Sequence, residues 1–159
     1  MIKKCFLYPV LGLLLSACQT NFPVATEQQL CNDTVEAIEL TDIDYLLFAN
    51  RMIDSMIHHK NIQQEIIGNR MTLSILPVEN NTSEAINMIA INKAIKNRVL
   101  RSGQFIINES ASGPFQLSGT FANKQRSSSA CAETYTQFSL QLMNTQNKRI
   151  LWSEDTKFN

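Results

Sequence analysis

FQLSGTF at residues 115–121 and FSLQL at residues 138–142 alternate apolar and polar side chains one by one. Period-two alternation is typical of a β-strand that buries one face and exposes the other to water. A Ser-rich stretch at residues 127–129 separates the two segments and is expected to form a loop. The two segments therefore predict consecutive half-buried strands.

A third strand is expected after a short polar turn. Asn144-Thr145-Gln146-Asn147 has the composition of a hairpin turn. From Arg149 to Lys157 the chain returns with Ile150 and Trp152 on one face. The C-terminal third of the chain therefore predicts an antiparallel meander.

Two earlier segments repeat apolar residues every three or four positions, which predicts amphipathic helices. The first covers residues 42–59, and Thr41 with Asp44 has the spacing of a capping box at its start. The second runs from about Ser83 to Arg101, where Ser102-Gly103 is expected to stop it. The inward-facing apolar residues are Tyr45, Ala49, Met52, Ile53 and Met56 in the first helix and Met88, Ile91, Ile95 and Val99 in the second.

Two shorter strands complete the predicted elements. Residues 70–78 alternate in polarity, Pro77 marks a strand end or bend, and Glu79-Asn80-Asn81 is expected to be a turn. Residues 105–108 form a further short strand. The predicted fold class is α+β: a mixed β-sheet flanked by helices, with a C-terminal antiparallel meander.

Composition excludes several classes of protein. The chain has 159 residues, of which 44% are hydrophobic and 18% charged, and 14 Lys+Arg balance 14 Asp+Glu. It is therefore neither a polybasic nucleic-acid binder nor a disordered chain. We expect one domain over residues 41–159, preceded by a polar, Pro23-containing tether at residues 19–40.

The N-terminus has the organisation of a bacterial export signal. Lys3 and Lys4 precede an apolar run at residues 5–16 that is too short to span a bilayer as a helix. The following Leu15-Ser16-Ala17-Cys18 resembles a lipobox, which implies cleavage after residue 17 and lipidation of the cysteine. By lipoprotein sorting rules, Gln19 in place of Asp favours the outer membrane, with the domain in the periplasm. The alternative is an ordinary secretory signal followed by an accidental cysteine.

The remaining cysteines bear on the redox state of the mature protein. Removal of residues 1–17 leaves 142 residues and takes away Cys5, while Cys18 would carry lipid. Cys31 and Cys131 then remain in an oxidising compartment, where we expect them to pair, although both could stay free. The chain has no CxxC motif, so neither a thioredoxin-like site nor a zinc knuckle is predicted.

No catalytic constellation is predicted. His58 and His59 are adjacent on a helix and point about 100° apart, so a solvated helix end explains them better than a metal site does. The chain has no HExxH, GxSxG or phosphate-binding glycine loop. We therefore predict no enzyme activity, metal, cofactor, nucleic acid or small-molecule substrate. The basic cluster consists of Lys93, Lys96, Arg98 and Arg101, and it is either a solvated helix face or a binding patch.

Five segments together resemble the LpoB family of penicillin-binding-protein activators, in the same order along the chain. They are ANRMIDSMI at 49–57, PVENNTS at 77–83, LRSGQF at 100–105, FSLQL at 138–142 and ILWSE at 150–154. The general fold is shared with the curli-secretion lipoprotein and the TolB N-terminal domain. The resemblance implies a non-enzymatic outer-membrane lipoprotein that binds and stimulates a class A penicillin-binding protein in peptidoglycan synthesis.

One feature departs from the family. Its members carry a long Pro-rich stretch between lipid and domain, whereas residues 19–40 contain one proline and reach at most ~70–80 Å when extended. A short tether suits the alternative function, an accessory lipoprotein of an outer-membrane secretion or assembly complex. A channel-forming lipoprotein would need extra membrane-spanning strands, and the sequence has no surplus segments for them.

The candidate partner-binding surface follows from the facing of the second helix. With its inward stripe buried, the helix exposes an apolar pair framed by lysines. Isolated exposed apolar residues are common, so a solvated surface is the alternative interpretation. The candidate contacts are Ile89, Lys93, Lys96 and Leu100 on this stripe, followed by Asn80 and Asn81 in the preceding turn.

Overall fold

The computed structural model describes residues 41–127 and 132–158, with side chains described for residues 41–126 and 134–158. The predicted signal peptide, tether and lipid anchor, together with Cys31 and Cys131, lie outside the described residues. The elements are α1 (Asp42–His58), α2 (Lys60–Glu65), β1 (Met71–Ile75), β2 (Glu79–Asn81), α3 (Met88–Arg101), β3 (Phe105–Asn108), β4 (Phe115–Ser127), β5 (Ala132–Asn144) and β6 (Ile150–Phe158).

The sheet is mixed, and its order is β3-β1-β4-β5-β6 with β2 also paired to β4. β1 pairs in parallel with β3 and β4, while β4, β5 and β6 form an antiparallel meander. This topology confirms the predicted α+β fold class and its closing meander. The β4–β5 pairing is longer than predicted and runs from Phe115↔Asn144 to Ser127↔Ala132.

The predicted turn at residues 79–81 is wrong, because these residues form β2. β1 and β2 pair in parallel with the same strand, as Ile75↔Leu117 and Glu79↔Thr120. Residues 76–78 therefore oppose only residues 118–119, which is a one-residue bulge at Pro77. The bend at Pro77 was predicted, but the backbone hydrogen bonds that β4 supplies override the turn-like composition of β2.

The first helix begins as predicted. The backbone N–H of Thr41 donates to Asp44 Oδ2 at 2.9 Å, and its hydroxyl donates to the same oxygen at 2.8 Å. These bonds lower the pKa of the Asp44 carboxyl. The extended backbone of His59 then separates α1 from α2, a short helix that the sequence analysis did not resolve.

The second predicted helix starts five residues later than expected, at Met88. Asn87 is its N-cap, and the Asn87 side chain accepts the backbone N–H of Ala90 at 3.1 Å. Residues 82–84 are held in a loop instead, because the Thr82 N–H donates to Asn80 Oδ1 and the Asn80 amide donates to the Glu84 carbonyl. Local side-chain bonds of this kind compete with helix formation.

The two long helices lie side by side and run parallel. Asn87 N donates to Asp42 Oδ1 at 3.4 Å near their N-termini, and Arg98 Nε pairs with Asp54 Oδ1 at 2.5 Å about three turns later. Because Asp54 accepts this bond, the pKa of Arg98 is raised. The helices thus form one layer over the sheet.

The core lies between this helical layer and one face of the sheet. Tyr45 of α1 meets Phe121 and Phe158 edge-on, and Phe121 stacks on Phe138 with ring centroids 4.1 Å apart. Five residues predicted to pack in the core are buried, and four of them lie in α1 and α3, which confirms the facing of both helices. They are Met52, Met56, Ile91, Ile95 and Trp152.

Candidate partner-binding groove

The candidate stripe of α3 lies on the solvent side of the helix. Ile89 is 84% exposed and Leu100 is 48% exposed, whereas Ile95 on the inner stripe is 1% exposed. Lys93 is exposed and Lys96 is half-buried. The four residues occur at intervals of four, three and four, so they follow one line along the helix.

Two residues of this stripe, Ile89 and Lys96, border a groove of about 370 Å³. The floor is formed by residues at the C-terminal ends of two parallel strands and by the bulge that follows β1. It consists of Ile75, Leu76, Pro77 and Ile107. The wall on the α3 side includes Ile89 and Lys96. The groove therefore offers mainly aliphatic surface, with a polar rim.

Asn92 fixes the distance between the wall and the floor. Its Oδ1 accepts the backbone N–H of Val78 at 2.8 Å, and its Nδ2 donates to the carbonyl of Met88 at 2.8 Å. One side chain thus joins α3 to the segment after the bulge. The amide thus satisfies a backbone donor left free by the irregular strand, and it holds the two sides of the groove together.

Two of the four side chains in the predicted basic cluster form ion pairs. Lys96 pairs with Glu109 at 2.8 Å across the rim of the groove, and Arg98 pairs with Asp54 of α1. Both side chains of the rim pair are exposed enough for water to screen them, so the pair is worth at most about 1 kcal/mol. The Lys96–Glu109 ion pair can therefore separate at little cost in free energy when a charged partner binds.

The structure separates the two asparagines from the groove. Asn80 Oδ1 accepts both the N–H and the hydroxyl of Thr82, so this side chain shapes the loop. Asn81 is exposed beside Ala122 of β4, away from the α3 stripe. Of the six candidate contacts, only Ile89 and Lys96 therefore line the groove.

Sequence reasoning missed the floor of the groove. Ile75, Leu76 and Ile107 occur in ordinary strand patterns, and nothing in their spacing shows that they meet α3 at one end of the sheet. Pro77 was the one available signal, because a proline that bends a strand also exposes the residues around it.

A partly buried polar contact supports the loop between β2 and α3. Tyr45 donates its phenolic hydrogen to one Glu84 oxygen, and Thr136 donates its hydroxyl hydrogen to the other. Burial, followed by the bond to Glu84, raises the pKa of Tyr45 above its ordinary value. Glu84 therefore connects the loop to α1 and β5, which is a structural role.

Within the described ranges, no cluster of three or more His, Cys, Asp or Glu side chains could hold a metal ion. No helix in that part of the chain is long and apolar enough to cross a membrane.

Comparison with known proteins finds a family that part of the chain resembles. The model of the family described as peptidoglycan-synthase activator LpoB matches residues 44–113, which include every residue that lines the groove. The C-terminal domains of LpoB from Salmonella enterica and from Escherichia coli superpose with a TM-score of 0.52 at 14% identity, covering 73% of this chain and 98% of theirs. The NMR structure of E. coli LpoB gives a TM-score of 0.45 at 15% identity, over 69% of this chain and 64% of that one.

A comparison with curated protein sequences gives no match. At 14% identity, the structural likeness shows the shared fold, and the likeness to the family rests on the family model over residues 44–113. Over residues 44–113, the chain is thus similar to the LpoB family of peptidoglycan-synthase activators.

Proposed function

We propose that this protein is a non-enzymatic outer-membrane lipoprotein whose periplasmic domain binds and stimulates a class A penicillin-binding protein. The family description, an activator of peptidoglycan synthase, supports the role. The lipobox-like segment ending at Cys18 supports the anchor. The observation that carries the proposed contact is the position of the highly exposed Ile89 beside an aliphatic groove.

Binding at this groove can stimulate a synthase only through a difference in affinity between the active and inactive conformations of the enzyme. Couplings of this kind are typically ~1–3 kcal/mol, or about 5- to 150-fold in an equilibrium. Burial of one aliphatic anchor contributes about 1.5–3 kcal/mol, so the groove and the stripe together can supply this difference.

The decisive experiment measures glycan polymerisation by the purified class A synthase of the same bacterium, with and without this protein. The test variant is Ile89→Ser with Leu100→Ser, which removes the exposed apolar pair of α3. We expect capture of the synthase to fall about tenfold or more, and stimulation to fall with it, because each lost anchor costs more than 1 kcal/mol.

The matched control is Ile43→Ser with Leu47→Ser, an apolar pair on α1 that is 67% and 62% exposed. This control should bind and stimulate normally, and both variants should keep the wild-type melting temperature. If capture and stimulation fell equally in the two variants, the loss would follow from replacing any exposed apolar pair by serine, and the assignment of the contact to α3 would be refuted.

The lipid anchor is tested by Cys18→Ala in cells. We expect loss of lipid labelling and release of the domain from the membrane fraction, because multiple acyl chains provide stable anchoring. Unchanged labelling would refute lipidation. Crosslinking with the lipidated wild type then identifies the partner, and recovery of secretion components without a synthase would favour the alternative function.

A further inference from the structure

The face of the sheet opposite the helices presents a regular array of polar side chains. Cross-strand pairing sets them in rows, because residues directly opposite each other share a face. One row consists of Ser118, Gln141 and Ser153, and the next of Glu79, Thr120, Ser139 and Asp155. These rows surround a shallow trough of about 210 Å³.

The array ends at the one aromatic side chain on this part of the face. Tyr135 pairs directly with Lys124, and the ammonium of Lys157 lies 5.2 Å from the centre of the tyrosine ring. Tyr135 and Ser139 are four residues apart on β5, about 13 Å along the strand. The hydroxyl-lined trough and the aromatic group with its cations therefore lie in line along one strand.

Most polar groups in the trough are available to a ligand. Among its described side chains, the one hydrogen bond within the face runs from Gln137 Nε2 to Ser139 Oγ at 3.0 Å. Hydroxyls and amides both donate and accept, while Asp155 accepts. Such a surface suits a ligand rich in hydroxyl and amide groups and carrying few apolar groups.

We propose that this open face binds a glycan strand of peptidoglycan. Sugar hydroxyls would donate to Asp155 and exchange hydrogen bonds with the serine and glutamine side chains. A sugar ring would pack against the apolar face of the Tyr135 ring, and the tyrosine hydroxyl would remain available for a hydrogen bond. Lys124 and Lys157 would face the carboxylates of the attached peptides. The face lies across the sheet from the helical layer, so glycan and synthase could bind together.

A single-stranded nucleic acid is another polymer that binds aromatic and cationic side chains. The charge of this face favours a glycan over a nucleic acid. Glu79 and Asp155 share one row of the face, and carboxylates there repel a phosphodiester backbone. The same carboxylates favour a ligand with hydroxyl donors. The observed mixture of acidic, hydroxyl and aromatic groups thus favours the glycan.

The experiment is co-sedimentation of the purified full-length mature protein with insoluble peptidoglycan freed of bound protein. Tyr135→Ala is expected to raise the apparent Kd about fivefold or more, since an aromatic contact of about 1 kcal/mol changes affinity by that factor. Tyr135→Phe keeps the ring and should retain most of the binding. Both variants should have the melting temperature of the wild type, so that a change in binding does not reflect unfolding.

Asp155→Ala provides the sharpest comparison, because it makes the protein more positive. If binding were only an attraction of cations to an acidic polymer, Asp155→Ala would bind peptidoglycan more tightly. If Asp155 accepts hydrogen bonds from sugar hydroxyls, its loss should weaken binding severalfold. Glu65→Ala on α2 removes the same charge away from this face, so it is the charge control and should have no effect. Tighter or unchanged binding by Asp155→Ala, full competition by an oligonucleotide, or failure of the wild type to sediment would overturn the proposal.

Discussion

Two isoleucines on α3 offer a direct measurement of how the helix faces the sheet. Ile95 is 1% exposed and Ile89 is 84% exposed, and both lie in the same helix. Changing each to alanine removes the same three carbon atoms. The small gain in helix propensity, under about 0.5 kcal/mol, is similar in direction at the two sites, so the difference between the variants isolates burial.

For Ile95→Ala, the transfer free energy lost is about 2.4 kcal/mol at roughly 0.8 kcal/mol per carbon. The cavity left in the core adds to this, and the expected loss is about 2–5 kcal/mol. For Ile89→Ala, the expected change is within about 0.5 kcal/mol, because the side chain already contacts water. A domain of this size has a total stability of about 5–15 kcal/mol, so the first variant loses a large share.

Urea unfolding of the mature protein measures both values. With a slope of about 2 kcal/mol per molar, the loss of about 2–5 kcal/mol should lower the midpoint of Ile95→Ala by about 1–2.5 M, while Ile89→Ala should leave it nearly unchanged. Parallel slopes show that the unfolding reaction is the same. A difference of less than 1 kcal/mol between the two variants would refute the facing of α3, and with it the exposed stripe beside the groove.

Three further outcomes are expected. Gly119→Ala should destabilise the protein by about 1–3 kcal/mol, because the added Cβ would lie 2.5 Å from Leu140 Cδ2. In a double-mutant cycle, this loss should be smaller when Leu140 is also changed to alanine, because the clashing side chain is then absent. The pKa of Tyr45 is raised in the folded protein, so the neutral phenol stabilises the fold below the unfolded pKa near 10, and this stabilisation is lost as the pH rises further. Tyr45→Phe should therefore flatten the decline in stability at alkaline pH. An unchanged decline would contradict the role of the phenol. Thiol counting on unreduced mature protein should find Cys31 and Cys131 unavailable, whereas two free thiols would exclude the disulfide.

The positions of several elements could be read from local patterns. Alternation predicted the strands of the meander, and steps of three and four residues predicted α1 and the inner face of α3. These patterns are reliable where burial repeats with the period of the backbone, so that one buried stripe and one exposed stripe are both visible in the sequence. The exposure of Ile89 follows from the same rule.

Other features depended on partners distant in the chain. Residues 79–81 have a turn composition but form a strand because β4 supplies hydrogen bonds to them. Ser83 and Glu84 fall within the predicted second helix but lie in a loop, where Tyr45 and Thr136 bind Glu84. In both cases, interactions across the fold outweigh weak local preferences.

Local periodicity is enough to predict the alternating strands, the amphipathic helices and the exposed stripe of α3, because burial on one side of an element repeats with the period of its backbone. It does not predict that Ile75, Leu76 and Ile107 meet Ile89 in one groove, or that Tyr135 and Asp155 share the opposite face of the sheet. These arrangements arise because strand order, register and the bulge at Pro77 bring together side chains that are far apart in the chain, and no local periodicity encodes those pairings.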